Sequence, residues 1–220
     1  MSDDSALRAA LVEAGRRLYA KGLIAGHEGN LSLRDGERLL VTPRGSCKGF
    51  LAPEQLVATD LDGRTRDGVR PSSEILMHAA VYRARPDVRA VVHAHPPVAT
   101  AFAVAGTALD RPLLAEAVVT LGPVPLVPFD TPATADLARA VEQAIASAQA
   151  LLLANHGALT VGESLWRAWE RMETLEQCAR ITVAARLIGQ PRELPPEAVA
   201  ALQALRTAAG YPPPPGDPAR

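Results

Sequence analysis

Apolar residues recur every three or four positions in several segments of the chain, the spacing that places side chains on one face of a helix. In the first segment Leu7, Leu11 and Leu18 follow this spacing, between Ser5 as N-cap and Gly22 as helix stop. The same pattern predicts five helices, at residues 5–21, 73–85, 97–105, 134–148 and 163–188, with a helical turn at 53–56.

Short apolar or alternating runs stand between the predicted helices and indicate strands. They lie at residues 31–34, 38–42, 56–61, 88–95, 124–127, 150–153 and 158–161. Asp35-Gly36 joins the first two runs and is a strong hairpin signal. Pro123, Pro125 and Pro128 favour an edge position for the fifth run, because proline cannot donate to a sheet ladder.

The order of these elements predicts the fold class. Hairpins come early, helices are interspersed, and neither a repeat nor a linker divides the chain. We therefore expect one α/β domain with a central, mostly antiparallel sheet flanked by helices. The domain would cover residues 1–205, and a proline-rich C-terminal tail would cover residues 206–220.

Composition narrows the function class. The 220 residues are 48% hydrophobic and carry a formal net charge of −1, which gives no electrostatic reason to expect nucleic acid or anionic membrane as a partner. Cys47 and Cys178 are too few for a disulfide framework. The N-terminus has no signal core, and no apolar run reaches the ~20 residues of a membrane span. We therefore expect a cytoplasmic protein.

Two of the five histidines, His93 and His95, end the apolar run 88–95. Side chains two residues apart in a strand leave the same face, so both imidazoles could bind one metal ion. His156 follows the run 150–153 and is a third candidate. Three neutral imidazoles suit a divalent ion such as zinc. The alternative is that each histidine is a hydrogen-bonded side chain at a strand end.

Glu74 is the fourth candidate, at the start of a predicted helix. Its carboxylate could act near the metal as ligand or base, or it could serve only the helix dipole. His78 lies one turn later on the same face and could touch Glu74, but we expect it to pack or hydrogen-bond structurally.

Three segments have the composition of anion-binding loops: Gly26–Asn30, Thr42–Ser46 and Pro71–Ser73. Backbone N–H groups and serine hydroxyls at helix starts bind phosphate readily. Arg44 and Lys48 add positive charge nearby. Each segment alone could be an ordinary turn or cap, but together they flank the elements that carry Glu74 and the histidine pair.

These motifs, in this order, resemble the class II aldolase/adducin family, typified by L-fuculose-phosphate aldolase. The resemblance covers about residues 6 to 188 and is specific to the family, but it does not fix the reaction. The residues that carry it are Gly29-Asn30-Leu31-Ser32, Thr42-Pro43-Arg44-Gly45, Pro71-Ser72-Ser73-Glu74, His93-Ala94-His95 and Asn155-His156-Gly157.

The resemblance implies a metal site and a phosphate site. Zn²⁺, with Mn²⁺, Fe²⁺ or Co²⁺ as alternatives, would be held by His93, His95 and His156, with Glu74 as a further ligand or as the acid/base. The substrate's phosphate would lie among Gly29, Asn30, Arg44, Gly45, Ser72 and Ser73. The resemblance also implies an antiparallel sheet between helices and a C4 homotetramer with active sites between subunits.

Two departures from the family pattern concern the reaction. Arg44 stands where fuculose-phosphate aldolase has a small hydroxyl residue, so it could strengthen anion binding or narrow the pocket. Glu116 stands where that enzyme has a catalytic tyrosine from a neighbouring subunit, which looks more like the related methylthioribulose-phosphate dehydratase. Glu116 is thus a candidate acid/base, or else a surface helix charge. Tyr211 could supply the missing phenol to a neighbour's site.

The resemblance implies a lyase that cleaves a ketose 1-phosphate, fuculose-phosphate-like or 5-deoxypentulose-phosphate-like, to dihydroxyacetone phosphate and an aldehyde. The zinc-stabilised enediolate of that reaction also allows a dehydratase, an epimerase or a decarboxylase. A different class is a non-catalytic binding module like the adducin head domains. Those domains lack the full histidine set, so the three histidines here favour an enzyme.

Overall fold

The computed structural model describes residues 4–65 and 68–211. The strands are β1 Asn30–Asp35, β2 Arg38–Val41, β3 Val57–Asp60, β4 Ala90–Ala94, β5 Leu126–Val127, β6 Ala150–Leu153 and β7 Gly157–Gly162. The helices are α1 Asp4–Ala20, α2 Ile75–Ala84, α3 Pro97–Val104, α4 Ala115–Thr120, α5 Ala135–Ile145, α6 Leu165–Ile188 and α7 Pro196–Ala208. Short 3-10 turns lie at Lys48–Phe50 and Pro53–Gln55.

The seven strands form one sheet in the order β3-β2-β1-β4-β7-β6-β5. Every pair is antiparallel except β5 and β6, which run parallel. The expected single α/β domain with a mostly antiparallel sheet is therefore confirmed. β5 is the edge strand that the prolines around it indicate, and it spans only two residues.

Helices cover both faces of the sheet, and alternate residues of the central strand β4 point into different hydrophobic cores. Val92 packs with residues of α1, α3 and α6 in the first core. Val91 packs with residues of α2 and α5 in the second. His93 alternates with Val92 in the same way, so it leaves the sheet on the face that carries α2. That placement brings the histidine to the start of α2.

Two helices lie outside the predicted set, α4 and α7. They pack on each other: the fully buried Arg206 of α7 donates from Nη1 to the carbonyl oxygens of Val118 and Val119, at 3.3 and 3.0 Å. α7 continues past the domain boundary expected at residue 205. Of the expected tail, residues 212–220 lie outside the described residues. Across the described ranges, no helix has the length and apolar character that a membrane crossing requires.

Candidate metal and anion site

The three candidate histidines meet at the ends of neighbouring strands. His93 is in β4, His95 follows it, and His156 lies in the turn between β6 and β7. β4 and β7 pair with Ala94 opposite Ala158, which sets that turn beside His95. One nitrogen from each ring lies within 4.8 Å of the others, and the Nε2 atoms of His93 and His95 are 3.1 Å apart.

The turn itself makes room for the three rings. Asn155 adopts a positive φ of 53°, a conformation that asparagine tolerates better than most residues. Gly157 follows the third histidine, and a Cβ there would lie 2.6 Å from both the carbonyl oxygen of Ala94 and Cδ2 of His95. A side chain at position 157 would therefore push the imidazoles apart.

Glu74 reaches the histidines from the second face of the sheet. It is the residue before α2, and its Oε2 lies 3.3 Å from Nε2 of His93 while its Oε1 lies 3.2 Å from Nε2 of His156. Asn30 at the start of β1 donates from Nδ2 to Oε2 at 2.7 Å. The structure thus brings all four predicted ligand residues together.

Burial favours the neutral form, which binds metals, for two of the imidazoles, His93 and His156. Burial lowers the pKa of His93 to about 3 and lowers the pKa of His156 below its usual value, in both cases against the opposing effect of Glu74. Nδ1 of His93 donates to the carbonyl oxygen of Ala158 at 2.9 Å, so its Nε2 presents a lone pair to the cluster. Burial disfavours ionisation of Glu74, but the neighbouring imidazoles and the Asn30 amide outweigh it and lower the pKa of this carboxyl group.

The donor set fits a divalent cation. Two nitrogens on one tetrahedral zinc ion, each at about 2.0–2.1 Å, would be about 3.3 Å apart, close to the observed separation of His93 and His95. Oε1 of Glu74 and Nδ1 of His156 are buried without a hydrogen-bond partner among the described residues. Buried acceptors left unpaired are costly, and a cation would satisfy such an oxygen. Three imidazoles and a carboxylate suit zinc but do not exclude manganese, iron or cobalt.

The predicted phosphate-binding residues all line one pocket of about 130 Å³. Glu74 and His95 line the same pocket, so the group formed by Glu74 and the three histidines adjoins the three loops there. Ser72 is buried and its Oγ accepts from the backbone N–H of Glu74 at 3.3 Å, whereas Arg44 is exposed. The pocket residues from the loops are Gly29, Asn30, Arg44, Gly45, Ser72 and Ser73.

One of the two cationic residues expected beside the anion loops is buried, which the sequence pattern does not reveal. Lys48 lines the pocket with only 3% of its surface exposed, and burial lowers the pKa of its ammonium group to about 8. Its Nζ donates to the carbonyl oxygens of His27 and Ser46, both at 2.7 Å, and so links two anion loops. Nothing local distinguishes Lys48 from a surface lysine, because its burial comes from α1, where Gly15 approaches its backbone closely.

Glu116 and Tyr211 lie elsewhere in the chain. Both line a separate cavity of about 750 Å³ beside α6. Neither lines the pocket that contains Glu74, His95 and the anion loops, called the metal pocket below. The Tyr211 hydroxyl accepts from Nη1 of Arg167 at 2.7 Å, and the guanidinium stacks over its ring. A catalytic role for either residue therefore requires a neighbouring subunit.

His78 has the structural hydrogen bonds expected for it. The ring is fully buried, and its partners are Ser32 Oγ, 2.6 Å from Nδ1, and Asn30 Oδ1 at Nε2, rather than the Glu74 carboxylate. Burial lowers the pKa of His78 to about 4, so the ring is neutral near pH 7.

Comparison with known proteins agrees with this geometry. Residues 9–183 match the family model described as the class II aldolase and adducin N-terminal domain. The chain is 39% identical over 184 residues to 3-oxo-tetronate 4-phosphate decarboxylase of Escherichia coli K12, covering 81% of this chain and 86% of that protein. It is 36% identical over 192 residues to 5-deoxy-D-ribulose 1-phosphate aldolase of Bacillus thuringiensis, covering 86% of this chain and 89% of that protein.

A solved structure shares the fold. The crystal structure of L-fuculose-1-phosphate aldolase from Thermus thermophilus superposes with a TM-score of 0.75 at 39% sequence identity, over 82% of this chain and 94% of that one. A likeness of this extent at this identity shows that the two chains share one architecture.

Proposed function

The chain belongs to the class II aldolase and adducin family, and on that premise we propose that it is a metal-dependent lyase acting on a small phosphorylated substrate. One observation carries the proposal. Three imidazoles and the Glu74 carboxylate converge, and two members of this group, His95 and Glu74, line a pocket that the three anion loops also line. Such a site can hold a carbonyl compound by its phosphate and accept charge as a neighbouring C–C bond breaks.

His93, His95 and His156 would hold the divalent cation, and Glu74 would lie beside it. When bound, the cation supplies a Lewis acid for a substrate carbonyl group. Backbone N–H groups at Gly29 and Gly45 with the Ser72 and Ser73 hydroxyls would hold the phosphate. Glu74, with one oxygen already hydrogen-bonded, would move the proton at the carbon that becomes electron-rich.

We propose decarboxylation of a 3-oxo-tetronate 4-phosphate as the reaction. The C1–C2 bond breaks, carbon dioxide leaves, and the electron pair passes toward the C3 carbonyl oxygen. Glu74, which is ionised in the free site, takes a proton from water and passes it to C2, which gives dihydroxyacetone phosphate; the hydroxide left from the water combines with carbon dioxide as bicarbonate. The substrate has two anionic ends, and the pocket offers Lys48 and Arg44 in addition to the phosphate loops, which supports this choice over a singly charged sugar phosphate.

Aldol cleavage of a ketose 1-phosphate is the second candidate, supported by the aldolase relative at 36% identity. Here the C3–C4 bond breaks once the C4 hydroxyl loses its proton, an aldehyde leaves, and protonation at C3 again gives dihydroxyacetone phosphate. Cleavage needs a second acid/base to serve the hydroxyl. We propose Glu116 or Tyr211 of a neighbouring subunit for this role.

One assay separates these candidates. Zinc-loaded protein is incubated with 3-oxo-tetronate 4-phosphate or with 5-deoxyribulose 1-phosphate, and dihydroxyacetone phosphate and carbon dioxide are measured. We expect equal amounts of both products from the first substrate. Dihydroxyacetone phosphate from 5-deoxyribulose 1-phosphate but not from 3-oxo-tetronate 4-phosphate would establish the aldolase. No dihydroxyacetone phosphate from either substrate would overturn both reactions. Protein that folds but binds no divalent cation would instead support a binding module of the adducin type.

A further inference from the structure

A buried row of polar side chains leads from α2 to the Glu74 carboxylate. The Tyr82 hydroxyl lies 2.8 Å from Ser32 Oγ, and Ser32 Oγ lies 2.6 Å from Nδ1 of His78. On its other side His78 meets Oδ1 of Asn30, whose Nδ2 reaches Oε2 of Glu74 at 2.7 Å. All five residues are buried, with exposures between 0 and 8%.

Chemistry allows only one direction for these hydrogen bonds. An ionised carboxylate only accepts, so Asn30 must present its amide N–H to Glu74 and its oxygen to His78. Nε2 of His78 must then carry the hydrogen that Oδ1 of Asn30 accepts. A neutral imidazole has one N–H, so Nδ1 accepts from the Ser32 hydroxyl. Ser32 in turn accepts from Tyr82, whose pKa is raised by burial and which therefore keeps its proton.

The direction makes the two oxygens of Glu74 different. Oε2 is held by Asn30, whereas Oε1 is buried without a hydrogen-bond partner among the described residues. Each oxygen faces one imidazole, Oε1 the Nε2 of His156 at 3.2 Å and Oε2 the Nε2 of His93 at 3.3 Å. Because Oε2 already accepts from Asn30, Oε1 is the oxygen with more acceptor capacity left for the cation or for a substrate proton.

We propose that His78 is a positioning residue that, as the Nε2–H tautomer set by Ser32 and Tyr82, orients Asn30 and thereby fixes which Glu74 oxygen acts in the pocket. The effect of His78 on turnover rests on the proposed function. The tautomer of His78 and the orientation of the Glu74 carboxylate do not depend on it. His78 itself touches no reacting atom, so its effect on the reaction passes entirely through Asn30.

Two amide substitutions form a matched pair. In His78→Gln the terminal amide reaches the place of Nε2 and can still donate to Asn30, whereas in His78→Asn it reaches only the place of Nδ1. Both put an uncharged amide in the same buried space, so a general loss of packing would affect both. With the turnover substrate identified, we expect His78→Asn to lower kcat about ten- to a hundredfold with little change in KM. His78→Gln should retain most of the activity.

Two measurements test the proposal without turnover. The ¹⁵N NMR spectrum of the metal-free protein should show His78 protonated at Nε2, and Ser32→Ala should allow the Nδ1–H tautomer to appear. Crystal structures should show the Glu74 carboxylate unchanged in His78→Gln and rotated in His78→Asn. An Nδ1–H tautomer in the unmodified protein, or the same carboxylate orientation in both variants, would overturn the assignment. Failure to turn over any substrate would refute the proposed lyase while leaving these two results interpretable.

Discussion

At the scale of single residues, the site depends on small groups as much as on the ligands themselves. Glycine at position 157 leaves the space in which three imidazoles approach one another. Its function does not come from an unusual backbone conformation, because its φ is not among the positive values of the chain. The close contacts alone exclude a side chain, so the ligand geometry can be tested without removing any ligand.

Gly157→Ala should weaken metal binding by about tenfold or more, because the new Cβ would lie 2.6 Å from Cδ2 of His95 and displace that ring. Metal content after dialysis against a weak chelator, measured by mass spectrometry, checks this. The matched control is Gly189→Ala, since nothing lies within 4 Å of a Cβ at that position. Equal metal retention by the two variants would show that the turn does not control the ligand geometry.

The buried ammonium group of Lys48 is a second residue whose role can be isolated. Two of its three N–H donors bond loop carbonyl oxygens, and the third is left for a substrate anion. Lys48→Met should reduce kcat/KM about tenfold or more by raising KM, as expected for loss of a charge-assisted hydrogen bond. Lys21→Met is the control, because Lys21 is the only other lysine and lies outside the pocket. An unchanged KM would remove Lys48 from substrate binding.

At the scale of elements, α6 supports the corner at which β4 turns into α3. The buried carboxylate of Glu176 accepts from the backbone N–H groups of Val98 and Ala99 at 3.0 and 2.9 Å, and it pairs with Arg180 at 2.8 Å. A carboxylate at a helix N-terminus satisfies donors that the helix leaves free and favours its dipole. This contact holds the helix that begins two residues after His95.

Glu176→Ala should therefore lower the free energy of unfolding by about 2–3 kcal/mol, because it leaves buried N–H groups without an acceptor. Urea denaturation of the metal-free protein measures the change. Glu173→Ala on the same helix is the control, since among the described residues Glu173 pairs with Lys21 in a half-exposed ion pair, which is worth about 0–1 kcal/mol. Similar losses in both variants would mean that the α3 contact contributes no more than a surface ion pair.

The elements differ in how far their own residues predict them. α1, the β1–β2 hairpin and the edge position of β5 follow from local spacing, from Asp35-Gly36 and from flanking prolines. α4 has six residues, too few for a helical period to emerge, and is stabilised by packing against α7. No local pattern could reveal that contact, because its partners lie 87 and 88 residues apart in the chain.

The site likewise combines residues that local sequence position indicates with contacts that it cannot indicate. Strand ends and a helix start make His93, His95, His156 and Glu74 candidates, and the family resemblance implies their role as ligands. The contacts that orient them join distant residues: Asn30 and His78 are 48 positions apart. Both residues are visible in the sequence, but their contact depends on the pairing of β1 with β4 and on the position of α2 over the sheet.

At the scale of the whole molecule, the chain places candidate acid/base groups on two separate surfaces. Glu74 lines the metal pocket, whereas Glu116 and Tyr211 line the cavity beside α6. Among the described residues of one chain, Glu116 and Tyr211 therefore lie outside the pocket that Glu74 lines with the three anion loops. A ring of subunits with sites at the interfaces, as the family resemblance implies, would bring the two surfaces together.

Mixed oligomers test this arrangement directly. Glu74→Gln and Glu116→Gln should each be inactive in aldol cleavage if both carboxylates serve one site from different subunits. After joint unfolding and refolding of equal amounts, about a quarter of the sites in a ring would combine one intact Glu74 with one intact Glu116 from the neighbour, so about a quarter of the activity should return. Each variant refolded alone is the control, and light scattering checks that the oligomers reassemble. If the mixtures are no more active in aldol cleavage than the two parents, either both groups serve the site of one chain or Glu116 takes no part in the reaction. Full activity of Glu116→Gln alone in releasing carbon dioxide would instead fit the decarboxylase, which needs only Glu74 to move the proton.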